Sequence, residues 1–159
     1  MKEPVITEKR EVSGKLTFSI ADINVSLVNA IRRTVLSDIP LFVFKTTPHE
    51  ENMTNILTNT CRINNEIIKQ RLSCIPINIS DLSIPYDNLL VEINKKNDTS
   101  DTIFVTTEDF KIKDVSLDKY LEREQVKKIF PPFIAPDKTE HYIDFIRLRP
   151  ALGSMAGEE

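Results

Sequence analysis

Carboxylates, thiols, imidazoles and paired cations are the residues here whose types and spacing suit chemistry. The acidic pairs Glu50-Glu51, Glu108-Asp109 and Glu158-Glu159 have the composition of a general acid–base couple or a hard-cation site. Each sits in a polar stretch with no apolar run to desolvate it, so all three read as solvated surface. Cys61 and Cys74 have no neighbouring His, while His49 and His141 stand alone; a four-ligand zinc site is not expected. The two thiols read as free, small, buried apolar residues. With only Gly14, Gly153 and Gly157 in 159 residues, no glycine-rich phosphate loop is present. His-Glu-x-x-His and nucleophile-elbow motifs are missing too. No catalysis by this polypeptide alone, and no cofactor, is expected. The cations Arg32-Arg33, Lys95-Lys96, Lys111, Lys113 and Lys127-Lys128 suit phosphate contacts, which keeps a small nucleic-acid-binding module as the alternative reading. Against it stand a net charge of −3, only three Tyr and no Trp for base stacking.

The elements that carry these residues follow from periodicity. Apolar residues at 27, 28, 31, 35 and 39 mark one face of a helix that starts at Asn24 or Ser26 and ends near Ile39, before Pro40. Arg32 lies at the edge of that face; Arg33 points away from it, beside Asn29 and Ser37. Residues 1–12 read as a loose arm. Residues 15–20 alternate strictly, as a half-buried strand with Leu16, Phe18 and Ile20 on one side. Leu41-Phe42-Val43-Phe44 predicts a buried strand running to about Thr47, and an extended segment lies near 53–57. Asn64 or Asn65 caps a short helix through Leu72 with Ile67, Ile68 and Leu72 inward. Strands over 89–93 and 102–106 flank a polar hairpin loop. Residues 117–130 predict a helix, 142–148 a last strand, and 150–159 a loop. Composition is that of a globular chain, 40% hydrophobic and 28% charged, with no run long enough to span a membrane and no signal peptide at the start. An intracellular protein is expected.

The helix itself, Asn29-Ala-Ile-Arg-Arg-Thr-Val-Leu-Ser-Asp-Ile-Pro40, resembles the signature helix of the alpha-like assembly subunits of multisubunit RNA polymerases. These are the bacterial alpha amino-terminal domain, its archaeal counterpart and the third-largest eukaryotic subunit. Residues 65–77, with Arg71-Leu-Ser-Cys-Ile-Pro-Ile77, resemble the family's segment ending Arg-Leu-Gly-x-Ile-Pro-Leu. Val105-Thr-Thr-Glu-Asp-Phe110 and Ile146-Arg-Leu-Arg-Pro150 resemble its Val-x-Ser-x-Asp and Lys-Leu-Arg-Pro blocks. The blocks come in the family's order, from about Leu16 to Pro150.

The resemblance implies an α+β fold. Residues 1–47 would be the strand–helix–strand first half of a dimerisation domain, and residues 48–159 an inserted, mainly β domain, incomplete at its carboxy-terminal side. It implies a non-catalytic subunit that pairs with a smaller alpha-like subunit and forms a platform for the second-largest catalytic subunit. There would be no sequence-specific DNA contact and no membrane. The implied partner-binding residues are Leu27, Val28, Asn29, Ile31, Arg32, Arg33, Val35, Leu36 and Ile39, with Glu66 and Arg71 from the second block. Arg32 would bond within the heterodimer and Arg33 would meet the large subunit; Glu66 and Arg71 could equally pair with each other or bond a neighbouring loop. Two departures stand out. Residues 76–89 hold no Cys, unlike the metal-binding loop of some members, so no metal is carried over. After Leu-Arg-Pro comes Ala-Leu-Gly-Ser-Met-Ala before Gly-Glu-Glu, where the family runs directly to Gly-Gln-Glu. The family chain also continues well past this block, so a fragment, or completion by another chain, is expected. The polymerase magnesium motif Asp-x-Asp-Gly-Asp is absent. The missing Cys loop and the Ile and Asn bias fit a large DNA virus, which would place the protein in a cytoplasmic factory or virion instead of the nucleus.

Overall fold

The computed structural model describes residues 3–12, 15–79, 81, 86–151 and 156–159. It is α+β, and it separates into two compact units, Met1–Pro40 and Leu41–Glu159.

In the first unit, β1 (Val5–Val12) and β2 (Lys15–Ala21) form an antiparallel hairpin. The expected loose arm is therefore mostly strand. Its irregular pattern has a cause: the register shifts between Thr7 and Arg10, and Glu8 sits there at φ 54°. Such a bulge resets which residues share a face, so strict alternation is lost. The Glu8 carboxylate accepts from Ser19 Oγ across the hairpin at 2.8 Å. Helix α1 (Val25–Ser37) begins where Asn24 Oδ1 accepts from the Ser26 N–H at 2.8 Å. It stops two residues earlier than Pro40 alone dictates; the Asp38 N–H makes the last helical bond, to Thr34 O, and Ser37 Oγ donates to the Arg33 carbonyl.

The second unit holds the core. Helix α2 (Asn65–Ser73) is capped by Asn64, whose side chain accepts from the Ile67 N–H at 3.0 Å. Ile68 and Leu72 are buried, but Ile67 faces outward, against expectation; on a nine-residue helix the inward stripe is one residue wide. Strands of two sheets share its core cluster. Strands β3 (Leu89–Glu92), β5 (Lys111–Asp114) and β6 (Lys119–Tyr120) run antiparallel in the order β3-β5-β6, and β4 (Ile103–Thr106) pairs with β9 (Asp144–Leu148). The expected hairpin of residues 89–93 with 102–106 does not form. The intervening loop is held instead by Asn97, which has no exposed surface and donates to Asp101 O and to Leu148 O on β9. In β9 a bulge opposite Val105 and Thr106 lets the adjacent Phe145 and Ile146 both turn inward, which explains its mixed alternation.

Residues 117–120 are not helical. The Asp114 carboxylate gathers the Ser116 and Leu117 N–H groups into a turn, and Asp118 takes a left-handed φ of 48° to lead into β6. Helix α3 (Arg123–Ile129) starts later, with Gln125 Oε1 accepting from the Glu122 N–H. A small hairpin of β7 (Phe133–Ile134) and β8 (Glu140–His141) follows. Residues 41–47 form no ladder, although Phe42 packs edge-on against Tyr86 and Phe44 enters an aromatic cluster. Alternation there is real, with Leu41 and Val43 exposed, but no strand within the described residues lies alongside. The two thiols are free; Cys61 is half-buried and Cys74 exposed, so neither is the fully buried residue expected. Among the described residues no helix is long and apolar enough to cross a membrane.

Phe110 centres the core. Its ring lies 5.3 Å from Phe130, 5.7 Å from Phe145 and 6.5 Å from Phe44, edge to face in each case. Phe110→Ala should cost about 3–5 kcal/mol. Phe133→Ala, at a ring 65% exposed, should stay within about 0.5 kcal/mol of wild type. Chemical denaturation of the two variants checks this; equal losses would show that the core is centred elsewhere.

Candidate functional site

Helix α1 carries most of the sequence-predicted site, and it has no buried residue. At about 100° per residue, Leu27, Val28, Ile31 and Val35 form one stripe. Leu27, Ile31 and Val35 are 56–57% exposed, and only Val28 is half-covered. Ile39 lies past the helix end, also exposed. The neighbouring hairpin offers a similar face, with Ile6, Leu16 and Phe18 exposed and Ile20 partly covered. No described residue of this unit is buried. An ordinary core helix would not look like this. Each such side chain would contribute about 1.5–3 kcal/mol to association when fully covered.

Leu36 does not share the stripe. It is 76% exposed and follows Val25, Asn29 and Arg32 at helical spacings of four, three and four along a second line. Arg33 lies further round, next to Asn29 and Ser37, opposite the stripe. Arg32 and Arg33 are the only charged residues of α1. The helix thus presents an apolar front, a flank on which the Arg32 guanidinium stands between the exposed Val25 and Leu36, and a polar back that carries Arg33.

Glu66 and Arg71, both in the second unit, do not pair with each other. Glu66 is exposed in the first turn of α2, where a carboxylate favours the helix dipole. Arg71 donates through Nε to Phe145 O at 2.6 Å and through Nη2 to Asp144 O at 3.3 Å, clamping α2 onto β9. An open groove of about 320 Å³ beside this clamp is lined by Gln70, Cys74, Ile75 and Ile143, among others. The Val105–Phe110 block is also a structural device. The Thr106 side chain accepts from the Glu108 N–H, and Asp109 accepts from the Thr106 N–H; the buried Thr107 exchanges two bonds with the backbone of Ile143.

Sequence reading missed the polar cluster of Arg149, Glu158 and Asn97. Glu158 is 7% exposed and accepts from Arg149 Nε at 2.7 Å, Nη2 at 2.6 Å and backbone N at 2.8 Å. Burial raises its carboxyl affinity for protons, but the Arg149 bonds outweigh that and hold it below the ordinary Glu range. The available signal was Gly157 directly before an acid, following an Arg-Pro block. Most of the lysines of the nucleic-acid alternative are paired: Lys95 with Asp109, Lys96 with Asp98, Lys113 with Asp118 and Lys127 with Glu140. No three His, Cys, Asp or Glu side chains among the described residues are grouped to hold a metal. Comparison with known proteins yields no matching family model and no matching curated protein.

Arg71→Ala should destabilise the second unit by about 1–2 kcal/mol, since its guanidinium bonds are charge-assisted but partly solvated. An unchanged denaturation midpoint would mean that the clamp contributes nothing.

Proposed function

We propose that this chain is a non-catalytic assembly subunit of a DNA-directed RNA polymerase. It is the alpha-like member that pairs with a smaller alpha-like subunit, and the pair supports the second-largest catalytic subunit. The observation that carries the reading is a unit without a buried residue among those described, whose exposed apolar helix holds most of the 29–40 stretch that resembles the family's signature. A surface of this kind fits a permanent partner, because permanent interfaces resemble a core cut in half. In this reading the first unit belongs to the strand–helix–strand dimerisation half, and the second, mainly β, to the inserted domain. The nucleic-acid alternative loses support from the lysine–carboxylate pairs, since exposed cations already neutralised by neighbours add little phosphate affinity.

Tagged protein should co-purify with an alpha-like partner and the large polymerase subunits. Recovery as a lone monomer that binds DNA tightly and in a strongly salt-dependent way would favour the alternative. Ile31→Asp or Val35→Asp should abolish partner capture, because the carboxylate would be desolvated in an apolar seam. Wild-type affinity in either variant would place the interface elsewhere.

The two arginines separate the two surfaces. Arg33→Ala should leave the heterodimer intact and weaken recruitment of the large subunit, by about thirtyfold or more for a desolvated charged bond. Arg32→Ala, beside the stripe, should disturb the heterodimer first. A two-step pull-down scores both partners, and the reverse pattern would mean that the helix is turned the other way.

A further inference from the structure

Helix α2 is tied to β9 at its carboxy-terminal end by Arg71. Its amino-terminal end has no such direct bond among the described residues, yet a chain of short contacts leads from it to the far end of the same strand. Asn59 donates through Nδ2 to Ile63 O at 2.9 Å and Asn65 Oδ1 at 2.7 Å, which orders the entry to α2. Its Oδ1 accepts from the Cys61 N–H at 2.9 Å. Next to it, Thr60 exchanges two bonds with Glu159: the Thr60 N–H donates to Glu159 O at 3.1 Å and the Glu159 N–H to Thr60 Oγ1 at 2.9 Å. Glu158 then bonds Arg149, just beyond β9, through its carboxylate and through its own N–H to Arg149 O at 3.2 Å. Glu158 O also accepts from the N–H of the fully buried Asn97 at 2.9 Å.

We infer that Gly157–Glu159 is a strap that fixes the start of α2 to β9, with the Arg149–Glu158 bond as its latch. Glu158 is therefore a positioning residue for α2 and for the outward-facing Glu66. Gly157 is required by space: a Cβ there would lie 1.8 Å from the Asn97 carbonyl oxygen, a backbone atom that has no room to yield. The latch is strong for its size because one buried carboxylate receives both a guanidinium and a backbone N–H. It stands on this geometry alone and is independent of the polymerase reading.

Cys61 reports on the strap. It is half-buried under it, with Sγ 3.8 Å from Glu159 O, and its thiol is pushed up by burial and by Glu158. Exposed Cys74, at the other end of α2, is the internal reference. The experiment measures N-ethylmaleimide labelling of each thiol and amide exchange in the full chain for wild type, Glu158→Gln and Gly157→Ala. Both variants should label Cys61 about tenfold faster, as expected for loss of one charge-assisted bond. Cys74 should be unchanged, and amide protection should fall over residues 59–68 while β4 and β9 keep theirs. Unchanged Cys61 labelling would overturn the strap. So would loss of protection throughout β4 and β9, which would make the cluster a support of the whole core.

Discussion

The first unit cannot cover its own apolar surface. One helix and one two-stranded ribbon give each apolar face only a single neighbour, and a lone hairpin is at best marginally stable in water. With Ile31 and Val35 more than half exposed, folding of these residues gains little from burial, whereas the ordering of each residue costs about 1–2 kcal/mol of backbone entropy. The stripe therefore stays uncovered among the described residues, and its exposure is what sets α1 apart from the helices of the second unit. The capping bonds at Asn24 and Asp38 mark where the helix starts and stops, and with them which residues share the stripe.

The second unit solves the same problem internally. Four phenylalanines meet at edge-to-face and stacked distances, and the elements around them are pinned by polar bonds at their ends and not by long ladders. No strand among its described residues exceeds five residues. Short strands leave many backbone groups at loop ends, and these must find partners once buried. Asn97, Thr107 and the Arg71 guanidinium each supply side-chain bonds to backbone carbonyls or amides that no ladder reaches. Residues that look like surface polarity in the sequence are thus the fastenings of this unit.

That contrast explains what the sequence disclosed. Helix α1, β2 and α2 were legible because their apolar spacing is regular or their caps are local. The stripe on α1 was legible for the same reason. What was illegible depends on non-local geometry. The bulge at Glu8 hid β1, and the bulge opposite Val105 blurred β9. The pairing of β4 with β9 and of β3 with β5 could not be read, since nothing in residues 94–101 shows that Asn97 is buried. Arg71 stands out in the sequence, but its clamp on β9 depends on residues more than seventy positions away.

The flank and back of α1 carry a second exposed surface. Leu36, assigned to the partner surface by resemblance, lies on a separate line with Val25, Asn29 and Arg32, and both of its apolar members are over 70% exposed. A solvated back would be expected to carry charge at most of its positions. Instead it holds two arginines and otherwise uncharged residues. Arginine is the cation least penalised by partial desolvation, and its planar fork suits backbone carbonyls and carboxylates equally. The composition of that face is closer to an interface core rimmed by guanidinium than to open surface. A helix exposed on both sides, with an apolar front and an arginine-bearing flank and back, leaves apolar surface in water that an ordinary surface helix would have turned into a core.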